Sequence, residues 1–262
     1  MSGYRLTRNE QSQFHEQGFL LREDVFRAEE VSDICTECEA LVDRLIRHRQ
    51  GERVTFGSYT FDADLVNDTI IKWEGDSDIV HGIEPFAHLS PKLEKWALDP
   101  RFIDPMKDII GHENPALFTE KLNLKRPKHG GPNPMHQDHP YWVRVAEVAA
   151  DVYTAMLFLD DATVENGCLH VVPGSHTQGE WLKRSDGDRF AGNEIDVSKY
   201  PDVTPQPIEV RAGGVVFFGA LLVHQSAPNV SDRQRRAILY SYQPPGRRSQ
   251  IDAFKAHWKS AG

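Results

Sequence analysis

Two histidines and one aspartate, distant in the chain, are of the residue types that hold a catalytic metal ion. His136 and Asp138 are two residues apart, and His224 follows 88 residues after His136. Alternate residues of a strand point to the same side, so one strand end could present His136 and Asp138 to the same ion. Two imidazoles and one carboxylate on one face of Fe(II) leave the opposite coordination positions free for a cosubstrate and O2. The set therefore predicts an oxidising enzyme.

Each of these residues also has an ordinary structural interpretation. A His-x-Asp pair often arises by chance, and His224 alone would more commonly be a core histidine bonded to the backbone. Cys35 and Cys38 form a Cys-x-x-Cys without a second pair, in an amphipathic helical pattern, which favours helix packing over zinc or redox chemistry. Histidine with carboxylate suits Fe(II) better than structural zinc, which more often recruits thiolates. The metal prediction depends on the combination of residues.

A chelating cosubstrate such as 2-oxoglutarate needs a fixed cation for its distal carboxylate. Arginine suits this task because its planar fork pairs with a carboxylate bidentately and stays charged. Arg235 and Arg236 precede a predicted strand and must face opposite sides, so only one of them can point inward. The alternative is a solvated basic turn.

The composition limits the classes of partner. A formal charge of −9 argues against nucleic acid, which requires a basic surface, so the expected partner is a small molecule. No apolar run approaches the roughly 18 residues of a membrane span, and the N-terminus lacks the pattern of a secretion signal. Three cysteines suit a reducing compartment. We therefore expect a cytoplasmic protein without membrane contact, and the sequence leaves its oligomeric state open.

The elements that must position these residues change from helical to extended near residue 115. Before that point, helices are predicted from the capping box at Thr7 and Glu10 through Phe14, and over residues 28–49, 91–98 and 105–110. Beyond it, short apolar segments between Gly and Pro turns predict strands at residues 118–124, 152–159, 168–172, 215–218 and 237–242. The apolar run that begins at residue 215 continues to residue 223, so a core strand would deliver His224.

These patterns predict one α+β domain over residues 1–262. A helical N-terminal part would extend to about residue 114, and a β-sandwich or jelly-roll core would occupy residues 115–243. Residues 185–207, rich in Asp, Gly, Asn and Pro, are expected to form a long loop or lid.

Several motifs together resemble the phytanoyl-CoA dioxygenase family of Fe(II)/2-oxoglutarate oxygenases. They are His136-x-Asp138, Glu165-Asn166-Gly167-Cys168-Leu169, Pro173-Gly174-Ser175-His176, and His224-x-Ser226-x-x-Asn229 with Arg235 eleven residues after His224. Residues 14–20 also resemble the opening helix and first strand of that family, so the similarity covers nearly the whole chain. The resemblance implies a double-stranded β-helix (jelly-roll, cupin-like) core with flanking N-terminal helices.

The resemblance also implies roles for individual residues. His136, Asp138 and His224 would bind Fe(II), while Arg235 and Ser226 would hold the distal carboxylate of 2-oxoglutarate. With O2, such a site converts the cosubstrate to succinate and CO2 and hydroxylates a substrate C–H bond. Because halogenating relatives lack the carboxylate ligand, Asp138 makes hydroxylation the default outcome. Desaturation, ring closure and epoxidation stay open.

Three further positions correspond to places in the family pattern. Tyr153 falls where relatives often have a tryptophan that lines the cosubstrate site, and Lys121 falls where some relatives have methionine, so that a cation there could assist the carboxylates. Lys125, in Lys125-Arg126-Pro127, resembles the Lys-x-Pro that precedes the metal motif in the family. The resemblance assigns no role to Lys125.

The substrate contacts are the least determined part of the sequence. Four residues that follow the metal motif are candidates to line the mouth of the site: His139, Tyr141, Trp142 and Arg144. Tyr59 lies on a segment that could fold over the mouth as a lid. Aromatic residues in such places are more often packing residues than substrate contacts, and Arg144 could instead form a surface ion pair. Two rival functions have different requirements: a cupin-like isomerase would have no need of Arg235, and a non-catalytic β-roll binding protein would be expected to have a broken metal motif.

Overall fold

The computed structural model describes residues 3–48, 53–56, 59–184, 193–253 and 255. Its α-helices are Arg8–Gln17 (α1), Ala28–Arg47 (α2), Pro91–Ala97 (α3), Pro100–Ile110 (α4) and His139–Trp142 (α5). Its strands are Phe19–Arg22 (β1), Arg53–Phe56 (β2), Tyr59–Asp64 (β3), Thr69–Trp73 (β4), Val80–Glu84 (β5), Ala116–Lys125 (β6), Asn133–His136 (β7), Tyr153–Phe158 (β8), Leu169–Val171 (β9), Gln206–Ile208 (β10), Val215–Gly219 (β11), His224–Ser226 (β12) and Arg235–Gln243 (β13).

The strands of the described residues form two antiparallel sheets. The large sheet has nine strands in the order β1-β11-β8-β13-β6-β5-β4-β3-β2, and the small sheet has four in the order β10-β9-β12-β7. One apolar core joins the sheets, since Leu169 and Val171 of the small sheet pack with Met156 and Phe158 of the large one. We call the face of the large sheet that packs toward β9 the inward face.

A second apolar core lies between the large sheet and the helices. Ile34 and Leu41 of α2 and Phe102 of α4 pack there with Leu122 and Ile238 of the sheet. Burying each such side chain contributes about 1.5–3 kcal/mol. Because successive strand residues alternate in direction, the residues next to Leu122 and Ile238 face inward.

The N-terminal helix is held at both ends by local signals. Thr7 and Glu10 form the predicted capping box, and Gly18 ends the helix in the left-handed conformation with φ of 80°. The chain then enters β1, which pairs with β11 at the edge of the large sheet. The prediction of an opening helix followed by a strand is thus confirmed by the structure.

The predicted helical part before residue 115 is only partly helical. Helices α1 to α4 are present, and α4 begins five residues earlier than predicted, with Pro105 inside it. Residues 53–84 instead contain the strands β2 to β5, which extend the large sheet beyond β6. Within this wing, Thr69–Trp73 alternates buried and half-buried residues, as expected of an antiparallel strand with one covered face.

Two predictions about the second half of the chain also need correction. The apolar run over residues 215–223 is not one strand that delivers His224, because β11 ends at Gly219 and a turn, in which the Leu222 amide donates to the Gly219 carbonyl, leads to β12 of the other sheet, which begins at His224. Of the predicted lid, residues 185–192 lie outside the described residues. The remainder is not all loop, since it contains a 3-10 turn at Val197–Lys199 and the start of β10.

No helix among the residues described here is long and apolar enough to cross a bilayer.

Candidate metal centre

The three predicted metal ligands lie together at the edge of the small sheet. His136 on β7 and His224 on β12 are directly paired across the two strands, and their ring centroids are 4.2 Å apart. Asp138 follows β7, with its Oδ1 atom 3.7 Å from His136 Nε2. One potential ligand atom from each residue lies within 4.8 Å of the other two. The group has the donor types and spacing to surround one divalent ion.

Backbone contacts orient both imidazoles for metal binding. His136 Nδ1 lies 2.7 Å from the Pro134 carbonyl oxygen, and His224 Nδ1 lies 2.9 Å from the Leu222 carbonyl oxygen. An Nδ1–H that donates to a carbonyl leaves the Nε2 lone pair free for a metal. Burial and the neighbouring His224 hold the pKa of His136 well below 6.5, so this ring is neutral at pH 7.

Gln137 fixes the backbone between the two ligands of the His-x-Asp pair. It is only 1% exposed. Its side-chain amide donates to the carbonyls of Gly179 and Leu221 at 2.8 and 2.7 Å, and its Oε1 accepts the Trp181 amide at 2.9 Å. The metal motif is therefore bonded both to the segment that precedes His224 and to the chain that enters the predicted lid. Sequence reasoning missed this role, since a glutamine between two ligands carries no pattern of its own.

The Pro173-Gly174-Ser175-His176 motif supports the second histidine. Ser175 Oγ is buried and accepts the amide of Val223, the residue before His224, at 2.9 Å. His176 Nε2 lies 3.1 Å from the His15 carbonyl oxygen of α1. The motif thus links the N-terminal helix to the strand that carries His224.

Arg235 is a buried cation with unused hydrogen-bond donors. Arg235 is 2% exposed, and its Nη2 donates to the Gly167 carbonyl at 2.9 Å. Within the described part of the chain, Nε and Nη1 of Arg235 have no hydrogen-bond partner. Burial lowers the pKa of Arg235 to about 10, which still leaves the guanidinium charged at neutral pH. A buried cation with two free donors suits a carboxylate ligand.

The neighbouring Arg236 faces the other side of the sheet, as strand alternation requires. Its Nη2 lies 2.8 Å from Asp160 Oδ1, and its Nη1 lies 3.1 Å from Glu39 Oε1. The prediction that only one of the two arginines points inward is confirmed, and the inward one is Arg235.

Ser226 lies on β12 two residues beyond His224, with its side chain on the same face of the strand. It is buried, and its Oγ accepts the Asn133 side-chain amide at 3.2 Å. The hydroxyl hydrogen can still be donated to a ligand.

Lys121 is on the inward face of β6, where it pairs with Leu239 of β13. Its Nζ lies 3.1 Å from Glu84 Oε2. Its charge helps to lower the pKa of His136, behind burial and His224, so Lys121 is near the metal ligands. The predicted role toward the cosubstrate therefore has a suitable location, although Glu84 already neutralises much of the charge.

Tyr153 does not line this site. Its ring is on the helix side of the large sheet, where it packs against Phe14 of α1 with ring centroids 6.2 Å apart. Because β8 alternates, Met156 and not Tyr153 faces the core between the sheets. The prediction is wrong by a single position of strand register, which exchanges the two faces of a strand.

The predicted substrate residues have different locations. Trp142 is buried edge-on against Phe118, with ring centroids 5.6 Å apart, so it is a packing residue. His139 Nδ1 lies 2.6 Å from Glu180 Oε1, and Arg144 is exposed. The side chain of Tyr59 lies outside the described residues.

Tyr141 is the aromatic residue of this segment that faces the metal ligands. Its ring is edge-on to the His136 ring with centroids 5.8 Å apart, and the residue is 37% exposed. The helical turn of α5 separates Tyr141 from Trp142 by about 100°, which explains why the two point in different directions.

These observations can be compared with known proteins. Residues 14–237 match the phytanoyl-CoA dioxygenase (PhyH) family model, and the chain belongs to that family. Iron and 2-oxoglutarate are the cofactors of this family, and the chain contains the corresponding His-Asp-His group.

Among individual relatives, a Caenorhabditis elegans protein named probable phytanoyl-CoA dioxygenase is 34% identical over 61% of this chain and 53% of its own length. The match thus spans about half the length of that relative.

Two solved structures are similar in fold. EctD from S. alaskensis, solved with 2-oxoglutarate and 5-hydroxyectoine, has a TM-score of 0.71 at 19% identity, covering 93% of this chain and 78% of that one. The epimerase SnoN, solved with Fe3+, alpha ketoglutarate and nogalamycin RO, has a TM-score of 0.68 at 22% identity, covering 92% and 86%. At these identities the similarity establishes the fold.

Proposed function

We propose that this protein is an Fe(II)- and 2-oxoglutarate-dependent dioxygenase that hydroxylates a C–H bond of a small molecule. The observation that carries the proposal is Arg235, a buried guanidinium whose free Nε and Nη1 donors lie within the same two-sheet fold as the His-Asp-His group. A buried cation without an anion is unfavourable, so the site calls for an anionic ligand.

In this proposal, each residue has a separate task. His136, Asp138 and His224 hold Fe(II), and Arg235 with Ser226 binds the distal carboxylate of 2-oxoglutarate. When Fe(II), 2-oxoglutarate and O2 are bound, a site of this kind supplies oxidative decarboxylation to succinate and CO2 and the oxidising power for attack on a C–H bond. The His136 imidazole, held neutral by burial and oriented by the Pro134 carbonyl, is ready to bind metal without first losing a proton, and the Leu222 carbonyl orients His224 in the same way.

Two features support hydroxylation by this class over the alternatives. Asp138 supplies the carboxylate ligand, whose place a halide takes in halogenating relatives. A cupin-like isomerase would leave buried Arg235 without a function. We further propose that residues 1–262 form one domain in which the two sheets make a double-stranded β-helix, supported by the core that they share.

The substrate is expected to enter beside Tyr141, the exposed aromatic next to His136. His139, the first residue of α5 and directly after the metal ligand Asp138, is the second candidate contact, and its side chain is partly exposed. Trp142 is excluded from this set by its burial against Phe118.

Cosubstrate turnover tests the proposal without knowledge of the substrate. We expect wild-type protein to convert 2-oxoglutarate slowly to succinate, with consumption of O2, only when Fe(II) is present. His136→Ala should lower this rate by at least about 100-fold, since loss of even an outer-shell partner of a metal ligand costs about 10- to 100-fold. His48→Ala, at an exposed histidine that ends α2, is the matched control and should keep the wild-type rate. Succinate formation at equal rates in the wild type and His136→Ala would refute the proposal.

A further inference from the structure

Lys125 is a buried lysine at the end of β6 that the proposed chemistry does not use. It is 1% exposed and pairs across the sheet with Arg235, so two basic side chains are side by side on the inward face. Burial and the neighbouring Arg235 lower the pKa of Lys125 to about 7. Burying an ammonium group is costly unless its donors are satisfied. The Nζ of Lys125 donates to two backbone carbonyls, those of Gly131 and of Ala227, the latter at 2.8 Å.

These two carbonyls belong to the two chain segments that carry the metal ligands. Gly131 is five residues before His136, and Ala227 is three residues after His224 and directly after Ser226. One ammonium group therefore connects the approach to β7 with the exit from β12. The two strands are themselves paired at His136 and His224, so Lys125 fixes them at a second point.

The backbones of two glycines, Gly130 and Gly167, pack directly against Lys125. A Cβ atom at Gly130 would be 2.7 Å from Lys125 Cα, and one at Gly167 would be 3.1 Å from Lys125 Cδ and 2.3 Å from the Ala227 carbonyl oxygen. Contacts this short show that a side chain at either position would displace the lysine or the chain that it holds. The Gly167 carbonyl also accepts the hydrogen bond from Arg235, so Gly167 contacts both Lys125 and Arg235.

Further hydrogen bonds hold the same segments. Glu74 Oε1 accepts the Gly131 amide at 2.9 Å and lies 2.7 Å from His81 Nδ1, so the peptide groups on both sides of Gly131 are bonded. Asn229 Nδ2 donates to the Lys125 carbonyl at 3.0 Å. Lys125 is thus the central member of a buried network that ends at the metal-bearing segments.

From this network we infer that Lys125 is a positioning residue for the metal and cosubstrate site, acting through the Gly131 and Ala227 carbonyls to set the spacing of His136, His224 and Ser226. The inference rests on the proposed function, because it assigns these segments to iron and 2-oxoglutarate. Lys125 itself contacts neither ligand in this account. Its location explains a Lys-x-Pro that the family resemblance alone leaves without a role.

The test compares Lys125→Met with Arg126→Met. Arg126 is the next residue, and it makes an ion pair with Glu39 on the other side of the sheet, with N–O distances of 2.8 and 2.7 Å. The anaerobic affinity for 2-oxoglutarate is measured on Fe(II)-loaded protein by the weak visible charge-transfer band of such complexes. We expect Lys125→Met to weaken the affinity about 10- to 100-fold, the range for residues that orient metal ligands. Arg126→Met should stay within about twofold of the wild type, because the Arg126 side chain bonds to Glu39 and to Gln234 Oε1 and reaches neither the Gly131 nor the Ala227 carbonyl.

Hydrogen exchange of the metal-free protein provides a readout that does not depend on loading. Residues 129–138 and 222–229 should exchange faster in Lys125→Met than in Arg126→Met, at a pH and temperature where both are folded. Weaker 2-oxoglutarate binding without faster hydrogen exchange would indicate a direct electrostatic role for Lys125. That result would overturn the inferred positioning role. If Lys125→Met does not fold, Lys125→Gln, which is smaller and keeps a polar end, replaces it with the same expected results.

The outcomes separate this inference from the function on which it rests. Absence of the band in wild-type protein would overturn the proposed function. A normal band in the wild type together with wild-type affinity and exchange in the Lys125 variant would overturn the inference alone. Equal losses in the Lys125 and Arg126 variants would also overturn it, because they would indicate general destabilisation.

Discussion

At the scale of single residues, the site is defined by hydrogen bonds that are made and by donors that remain free. Both predicted imidazole ligands have Nδ1 occupied by a backbone carbonyl, which directs Nε2 to the ion. Arg235 shows the opposite feature, since Nε and Nη1 are buried without partners in the described part of the chain. The first feature leaves both imidazoles free to bind the proposed metal ion, and the second suits the proposed anionic ligand.

Replacement of Arg235 tests the anion site directly. Arg235→Met should weaken 2-oxoglutarate binding by about 2–4 kcal/mol, the scale of losing the partner of a buried charge, while Fe(II) binding persists. Arg236→Met is the control, because that side chain pairs with Asp160 and Glu39 on the opposite face. Isothermal titration under anaerobic conditions measures both affinities. Unchanged cosubstrate binding in Arg235→Met would move the anchor to another basic residue of the inward face, such as Lys121.

The sequence allowed the metal ligands and Arg235 to be predicted because each belongs to a motif with fixed local spacing. Tyr153 could not be assigned correctly, since its role depends on which face of β8 is inward and no motif sets that register. Gln137 was missed for a different reason: its partners are 42 to 84 residues away, and only the folded chain brings them together.

At the scale of secondary structure, single residues connect elements that are distant in the chain. Glu120 of β6 is an example, because its Oε1 accepts the amides of Phe86 and Ala87 at 3.0 and 2.8 Å and so holds the turn after β5. Burial raises the pKa of Glu120 to about 7, although these two hydrogen bonds act in the opposite direction.

The raised pKa of Glu120 predicts a pH-dependent stability. Between pH 4.5 and about 7 the folded protein keeps a proton that the unfolded chain has released, so this carboxyl lowers the free energy of unfolding as the pH rises. The total loss corresponds to about 3 kcal/mol. Glu120→Gln keeps an acceptor oxygen without the charge, and we expect it to be more stable than the wild type at pH 8 and similar at pH 4.5. Urea unfolding at both pH values, with the exposed Glu16→Gln as control, measures this; a constant difference at the two pH values would argue against it.

Gly18 connects α1 to the Pro-Gly-Ser-His motif and can be tested against a matched glycine. Gly18 and Gly111 both end helices with positive φ, of 80° and 73°. A Cβ atom at Gly18 would be 2.4 Å from His176 Nδ1, whereas nothing lies within 4 Å of one at Gly111. Gly111→Ala should cost about 1–2 kcal/mol from the left-handed backbone alone. Gly18→Ala should cost about 1–3 kcal/mol more from the collision. Equal losses in urea unfolding would show that His176 yields without cost.

Element prediction succeeded for the amphipathic α2 and for the apolar segments that form β6, β8 and β13. It failed for β4 and its neighbours because these strands are short; Thr69–Trp73, for example, alternates over only five residues. Element prediction also treated residues 215–223 as one run leading to His224, because the turn between β11 and β12 is apolar and buried. Leu222 and Val223 are in the core, so composition gave no sign of a turn.

At the scale of the whole molecule, two sheets bring residues from distant parts of the chain into one interior. The small sheet supplies His136, His224 and Ser226, and the large sheet supplies Arg235. Such an arrangement explains why the motifs are so far apart in sequence. The general class of fold could be predicted from strand alternation and family resemblance, but the wing of β2 to β5 could not, because it depends on long-range pairing with β6.

We propose above all that His136, Asp138 and His224 hold one Fe(II) to which 2-oxoglutarate binds. The most direct measurement is an anaerobic titration of the protein with one equivalent of Fe(II) and increasing 2-oxoglutarate, followed in the visible. We predict a weak charge-transfer band that saturates at one 2-oxoglutarate per chain and is absent in His136→Ala. No band in the wild type, or the same band in His136→Ala, would contradict the account.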